Sequence, residues 1–459
     1  MIEKGSSRRR PRRARDWKGR RVTVMGLGRH GGGVSAVRYL AEQGAKVTVS
    51  DFAPAGALAE SLEALRGLPI HALKLGGHDE ADFRDAECVA INPAVRSAHP
   101  CLRIARASGA VITSEVELFL ERSPARTIGV TGSNGKSTTA TLLAGMLGAA
   151  GRRTWLGGNI GRSLLGELDR ITREDWVVLE LSSFQLAHLS DAAPLPQIAV
   201  ITNCTPNHLD WHGDFAAYVA AKRRLLGQTS TGSAGKSDKP LAILNARDPL
   251  VRGWSDSAVF SWPLSDVPAL PVPGNHNRHN AACAAAAAEA AGVSRSIICK
   301  SLEAFRGLAH RLQFVGEVGG RRFFNDSKAT SPHATMAALA SLDEPLWLLA
   351  GGDAKGASFD DLAEAIVGQA RGAGLFGAAR EAVRASIATK RAGFAARAHE
   401  TLDEAFDWCW RQSRPGDAIL LSPACASFDQ FRDFGARGSA FCELVRRLES
   451  RDHHLLRAG

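Results

Sequence analysis

Residues Gly129-Val130-Thr131-Gly132-Ser133-Asn134-Gly135-Lys136-Ser137-Thr138-Thr139 follow a short apolar run and precede a helical pattern. Gly132 and Gly135 allow a tight turn in which the backbone N–H groups around Asn134 point at phosphate oxygens. Lys136 adds a movable positive charge, and Ser137, followed by Thr138, puts a hydroxyl where Mg²⁺ would sit. The segment is a nucleotide-phosphate cradle. It is a variant one, Thr-Gly-x-Asn-Gly-Lys-Ser-Thr, because Val130 stands where the generic pattern has glycine. Four further clusters carry polar chemistry. Glu180 closes the apolar run Val177-Val178-Leu179 and is a natural magnesium ligand. Asn203-Cys204-Thr205-Pro206-Asn207-His208-Leu209-Asp210 follows another apolar run, and His208 is a candidate metal ligand or acid/base. Lys222, in Ala220-Ala221-Lys222-Arg223, reads on composition alone as an exposed helix lysine. His276, Asn277 and Asn280 have the donors and acceptors that suit a purine edge.

The elements that must position these groups alternate strand and helix. Arg21–Met25 runs into the glycine turn Gly26-Leu27-Gly28-Arg29-His30-Gly31, a helical pattern extends to Leu40, and a second strand, 46–50, ends at Asp51. This is a βαβ opening with Gly-x-Gly-x-x-Gly spacing and an acid where dinucleotide folds place one. Glu121-Arg122-Ser123-Pro124 reads as a linker. Strands are expected at 127–130, 176–181, 198–202 and 241–244, then at 323–325, 346–350 and 418–421, and Ala281–Ala291 reads as a close-packed helix ended by Gly292. The fold class is α/β with three domains: a Rossmann-like N-terminal domain over 21–122, a central P-loop ATPase-type, mostly parallel sheet over 123–307, and a C-terminal Rossmann-like α/β domain over 308–459. Ligands of such sheets gather at the carboxyl ends of the strands.

Composition narrows the class. The 459 residues are 45% hydrophobic and 23% charged, and no apolar stretch reaches the length of a membrane span. The eight cysteines show no Cys-x-x-Cys or zinc spacing, which fits reduced thiols and a cytoplasmic location. The net charge of +10 is concentrated at one end, where ten Lys/Arg and two acids within residues 1–21 contribute +8. A nucleic-acid binder needs a basic face on its folded body, where the balance here is near neutral. Residues 1–20 are expected to be a basic, disordered tail.

These residues resemble the Mur ligase family over roughly 20–450. The strings that carry the likeness are the phosphate loop, Gly157-Gly158-Asn159-Ile160-Gly161, Leu179-Glu180-Leu181-Ser182-Ser183-Phe184-Gln185-Leu186, Asn203–Asp210, Asn325-Asp326-Ser327-Lys328-Ala329-Thr330 and Leu421-Ser422-Pro423-Ala424-Cys425-Ala426-Ser427. The last two point, within the family, to the member that adds D-glutamate to UDP-N-acetylmuramoyl-L-alanine. The resemblance implies ATP and Mg²⁺ as cofactors, an acyl-phosphate route and a part in peptidoglycan precursor synthesis, with no nucleic-acid partner, no membrane insertion and a monomeric chain. It implies that Lys136 neutralises the β/γ-phosphates, that Ser137 and Glu180 hold one Mg²⁺, and that His208 and a carbamylated Lys222 serve a second. Asn277 and Asn280 would lie on the adenine side, and Arg311 and Asp326 at ribose and phosphate. Lys328, Thr330, Lys355, Ser427 and Phe434 would form the D-glutamate pocket, with Lys328 also catalytic. Gly28, Arg29, His30 and Asp51 would bind the uridine diphosphate, and Asn159 the muramoyl end. Three places depart from the family pattern: the basic, glycine-rich turn Arg29-His30-Gly31-Gly32-Gly33, Asn92-Pro93-Ala94 in place of Ser-Pro-Gly, and the stretch between Phe260 and Pro273, which is shorter than the family's and implies that a peripheral hairpin of the central domain is missing.

A nicotinamide dehydrogenase would use the first glycine turn but leaves the phosphate loop, Glu180 and the third domain unexplained. The rival within the same chemistry is a ligase for L-glutamate or another acidic amino acid. The side chains for either stereoisomer are the same.

Overall fold

Strands that read as unbroken apolar runs are buried along their whole length, as strands covered on both faces must be. The computed structural model describes residues 16–28, 31–161, 163–229, 232–233, 239–272, 274–354 and 356–457. Arg29, His30 and Lys355, and the tail up to residue 15, lie outside the described residues.

The chain divides into two compact units, Met1–Pro268 with Arg278–Leu302, and Ala269–Asn277 with Glu303–Gly459. The first unit carries two sheets. One is wholly parallel, in the order β3-β2-β1-β4-β5, from β1 (Arg21–Met25), β2 (Lys46–Asp51), β3 (Ala72–Leu75), β4 (Cys88–Ile91) and β5 (Val111–Ser114). The other contains β6 (Arg126–Thr131), β7 (Thr154–Gly158), β8 (Trp176–Glu180) and β9 (Ile198–Ile201), with a two-stranded hairpin, β10 (Gln228–Thr229) and β11 (Gly232–Ser233), separate from it. It is completed by β12 (Leu241–Leu244) and β13 (Val259–Phe260), in the parallel order β13-β12-β9-β6-β8-β7. The second unit holds β14 (Gln313–Val318), β15 (Arg321–Asn325), β16 (Leu346–Gly351), β17 (Ala370–Phe376), β18 (Ala396–Ala398) and β19 (Ala418–Ala424). Their order is β14-β15-β19-β16-β17-β18, parallel except for the β14–β15 hairpin.

The α/β class is therefore as expected, and two expected segments carry more local structure than their sequence implies. Glu121–Pro124 begins inside a helix. The helix Glu115–Arg122 runs into it, and one apolar core joins Phe119, Leu120 and Ala125 to Leu164 and Leu165 and on to Val177 and Leu179. The end of the basic tail is also structured. Trp17 is only 2% exposed and belongs to that same core, and the Gly19 amide donates to Gly44 O at 2.8 Å. A large apolar side chain recovers burial energy that the arginines before it cannot. Strands such as β7, β14, β17 and β18 carry no clear sequence signal because Gly, Glu, Arg and Ala interrupt their apolar runs.

Candidate active site

The phosphate loop sits between β6 and the helix Lys136–Ala149, at the carboxyl end of its strand. Gly135 takes a left-handed φ of 78°, and a Cβ there would lie 2.0 Å from Asn280 Oδ1, so the position admits only glycine. The string after β9 buttresses the loop. Asn134 N donates to Asn203 Oδ1 (2.8 Å), Asn203 Nδ2 donates back to Asn134 O (3.0 Å), and Thr202 Oγ1 donates to the same carbonyl (2.6 Å). Ser133 Oγ lies 2.8 Å from Tyr218 OH and accepts from Thr205 N at 3.0 Å. A loop tied down in this way offers its amides at fixed positions, which is what electrostatic binding of phosphate needs.

Two lysines converge on one carbonyl. Lys136 Nζ donates to Gly132 O (3.1 Å) and Ser133 O (2.9 Å), and Lys222 Nζ donates to Gly132 O at 2.7 Å. Lys222 is no surface lysine. It is 1% exposed, with its nitrogen 4.5 Å from the Tyr218 ring centroid. Burial, reinforced by the charge of Lys136, lowers its amine to about 7. Composition could not separate it from an exposed helix lysine, because the helix Phe215–Arg223 is short and Lys222 is followed at once by a second cation, Arg223.

Glu180 ends β8, in register with Val130 of β6, and is 2% exposed. Asn159 Nδ2 donates to its Oε1 at 2.9 Å, and Asn159 N to its carbonyl at 2.7 Å. Its Oε2 is buried with no hydrogen-bond partner. A buried carboxylate oxygen left without a donor is costly, and a hard cation is what such an oxygen suits. Among the described residues no three His, Cys, Asp or Glu side chains gather as a metal site. The expected magnesium ligands are of mixed type, and Ser137, 5% exposed on the first turn of its helix, supplies a hydroxyl. As an ammonium, Lys222 does not fit a cation, whereas a carbamate on the same nitrogen would.

His208 adopts a left-handed φ of 53° at the start of the short helix Leu209–His212, with its ring 4.8 Å from that of Phe184. Burial first, then the charge of Lys136, lowers its imidazole. His212, which the sequence did not single out, lies 3.0 Å from Ser183 Oγ and stacks on Phe184; burial and His208 push it down to about 4. Both imidazoles are neutral near pH 7, available as acceptors or ligands.

Other expected residues serve their neighbours. Asp51 Oδ2 accepts from Leu27 N (2.7 Å) and Gly28 N (3.2 Å) and its Oδ1 from Ala53 N (2.8 Å), so the carboxylate shapes the first glycine turn. Asn280 is buried against Gly135 at the phosphate loop, and Asn277 lies in the first turn of the helix Asn275–Ala290.

In the second unit the strings after β15, β16 and β19 come together. Asp326 accepts from Ser422 Oγ (2.8 Å) and Leu312 N (3.1 Å); burial lifts its carboxyl to about 6 against the pull of these bonds and of Arg311. Lys328 Nζ lies 5.5 Å from the Phe434 ring centroid, and Ser327 Oγ donates to Phe434 O at 2.8 Å. Ser427 is buried and Thr330 exposed, and Asp353 and Ala426 exchange backbone hydrogen bonds of 2.9 and 3.0 Å. The residue that sequence reasoning missed here is Arg437, wholly buried on the helix Phe434–Arg457. The one signal was its place between Gly435 and Gly438 on an otherwise amphipathic helix.

Parallel sheets, a phosphate loop with two converging lysines and a buried carboxylate define a nucleotide-phosphate-binding α/β protein. The family models agree: the Mur ligase MurD-like N-terminal domain matches residues 20–114, the Mur ligase middle domain 130–262, and the Mur ligase glutamate ligase domain 310–425. The chain belongs to the Mur ligase family and is an ATP-dependent ligase. It is 38% identical to the UDP-N-acetylmuramoylalanine–D-glutamate ligase of Roseiflexus sp. (strain RS-1), over 93% of this chain and 98% of that one. It is likewise 38% identical to the same-named protein of Geobacillus kaustophilus, over 95% and 99%. Among solved structures, the UDP-N-acetylmuramate–alanine ligase of Thermotoga maritima shares the fold at a TM-score of 0.57 and 19% identity, over 94% of this chain and 99% of that one.

Proposed function

We propose that the chain joins D-glutamate to UDP-N-acetylmuramoyl-L-alanine, releasing ADP and phosphate, in cytoplasmic peptidoglycan precursor synthesis. The observation that carries the reading is the buried Lys222 amine set on the phosphate loop beside Lys136, in a chain 38% identical to relatives named for that reaction. Eight free cysteines agree with a reducing compartment, and no described helix is long and apolar enough to cross a membrane. The three domains are proposed at 21–122, 123–307 and 308–459, and the chain is proposed to act as a monomer.

In this reading the L-alanyl carboxylate attacks the γ-phosphorus of ATP, ADP leaves, and an acyl phosphate forms. The D-glutamate amine then attacks the acyl carbon, loses a proton, and the tetrahedral intermediate expels phosphate. Each step builds negative charge, so the chain's task is chiefly electrostatic. Lys136 and the loop amides hold the β/γ-phosphates. Ser137, Glu180, His208 and Lys222 as its carbamate would hold Mg²⁺, which when bound supplies charge neutralisation at the phosphate oxygens. Asn159 keeps Glu180 oriented. Asn277, Asn280, Arg311 and Asp326 are assigned to ATP. Lys328, Thr330, Lys355, Ser427 and Phe434 are assigned to the amino acid, and Gly28, Arg29, His30 and Asp51 to the uridine diphosphate.

The test is phosphate release from ATP with UDP-N-acetylmuramoyl-L-alanine, comparing D-glutamate, L-glutamate and other acidic amino acids. D-glutamate is expected to be preferred by at least about 100-fold in kcat/KM, since a mirror-image substrate leaves buried polar groups unpaired. Equal turnover of L-glutamate would overturn the assignment.

A further inference from the structure

Arg437 is 0% exposed, yet every group it bonds is neutral. Its Nε donates to Ser327 Oγ (3.0 Å), Nη2 to Ser327 O (2.9 Å) and Cys425 O (3.1 Å), and Nη1 to Cys425 O (3.1 Å) and Ala426 O (3.3 Å). No carboxylate among the described residues forms an ion pair with it. Asp429 acts on it only at longer range, and its Oδ2 is taken by Ala378 N at 2.8 Å. A buried cation without a counter-ion is unfavourable in isolation.

Its bonding partners lie in two of the strings at the strand ends, and a third string is joined to one of them. Ser327 belongs to the string after β15, and Cys425 and Ala426 to the one after β19. Ala426 O, which accepts from Nη1, also accepts from Asp353 N (2.9 Å) in the string after β16. Gly352, in that same string, comes so near that a Cβ would lie 3.1 Å from Nη1. Ser327, held by Nε, in turn donates to the carbonyl of Phe434. One planar fork thus sets the spacing of all three strings, a task suited to the fixed donor geometry of guanidinium.

We propose that Arg437 is the positioning residue of the amino-acid pocket: it holds the three strings in register through neutral acceptors, leaving its buried charge to be balanced by the carboxylates of an amino dicarboxylate substrate. The proposal rests on the acidic-amino-acid reading above. By contrast Arg371, half exposed in this same unit, is paired with a resident acid, Asp417, at 2.9 Å. Burial lowers the Arg437 guanidinium to about 10, which still leaves it charged at neutral pH.

The test compares wild type with Arg437→Met, Arg437→Lys and Ser327→Ala, measuring KM for ATP, for the nucleotide substrate and for the amino acid, with melting temperature alongside. Arg437→Met should raise the amino-acid KM roughly 30-fold or more while the ATP KM stays within about threefold, since the lost bonds are charge-assisted and confined to one pocket. Arg437→Lys, which keeps the charge without the fork, should recover part of the affinity. Ser327→Ala should raise the amino-acid KM a few-fold. If Arg437→Met does not fold, the other two variants decide. A lower melting temperature with an unchanged amino-acid KM, or equal rises for ATP and amino acid, would overturn the proposal while leaving the ligase reading intact. Wild type preferring another acidic amino acid would overturn only the D-glutamate reading, and the Arg437 variants would then be judged on that substrate. Wild type accepting no acidic amino acid would overturn both.

Discussion

Lys222 offers the sharpest test, because its amine must be neutral before it can take up CO₂. With the amine at about 7, roughly half of it is unprotonated at pH 7. At an ordinary lysine value near 10.4 the neutral share would be about one part in 2,500. Burial beside Lys136 thus raises the reactive fraction by about three orders of magnitude. The neutral nitrogen attacks CO₂ and loses one proton, so the buried amine becomes an anion with two oxygens beside the phosphate loop. Wild type incubated with ¹³C-bicarbonate and Mg²⁺–nucleotide should show a carbamate carbon resonance that Lys222→Ala lacks, and CO₂-depleted buffer should slow phosphate release. Lys222→Ala should be nearly inactive and partly rescued by short carboxylic acids. Lys222→Arg should stay inactive, since its guanidinium cannot form the carbamate. Stability supplies a second readout for the unmodified enzyme. Between about pH 7 and the unfolded value near 10.4 the unfolded chain binds more protons than the folded one. Folding stability should therefore climb with pH across that window, and Lys222→Met should abolish the climb. Full activity in Lys222→Arg, or no bound ¹³C in active wild type, would refute the reasoning.

Lys136→Ala should lower kcat by at least about 100-fold with an unchanged melting temperature, because the charge it meets grows in the transition state; turnover within a few-fold of wild type would remove Lys136 from the phosphate site. Gly352→Ala forces a φ of 129° on a residue whose Cβ would lie 2.2 Å from Ala426 O, so unfolding in urea should show a loss of about 2–4 kcal/mol. Deleting residues 1–15 should leave the urea midpoint and turnover nearly unchanged. Trp17→Ala, at a core position 2% exposed, should cost about 3–5 kcal/mol in the same assay.

The parts legible in the sequence were those whose chemistry is local. A glycine turn between a strand and a helix carries its own geometry, and the phosphate loop lies where its residues implied. The buried strands β8, β9, β16 and β19 announced themselves as unbroken apolar runs. What stayed hidden depends on contacts between segments distant in the chain. That Asp51 accepts from three amides of its own unit, and that Asn159 donates to Glu180, could not be read from residue type. Nothing local in the helices around Lys222 and Arg437 marks these basic side chains as buried, yet both are, one on Gly132 O and the other on Cys425 O. Residue type therefore told where charge was needed, while the carbonyls that accept from these cations decided which lysine and which arginine were drawn inside. A buried cation on neutral carbonyls is costly, and the two sites relieve that cost differently: Lys222 by giving up its proton near pH 7, Arg437, which stays charged, by the anion proposed to bind beside it.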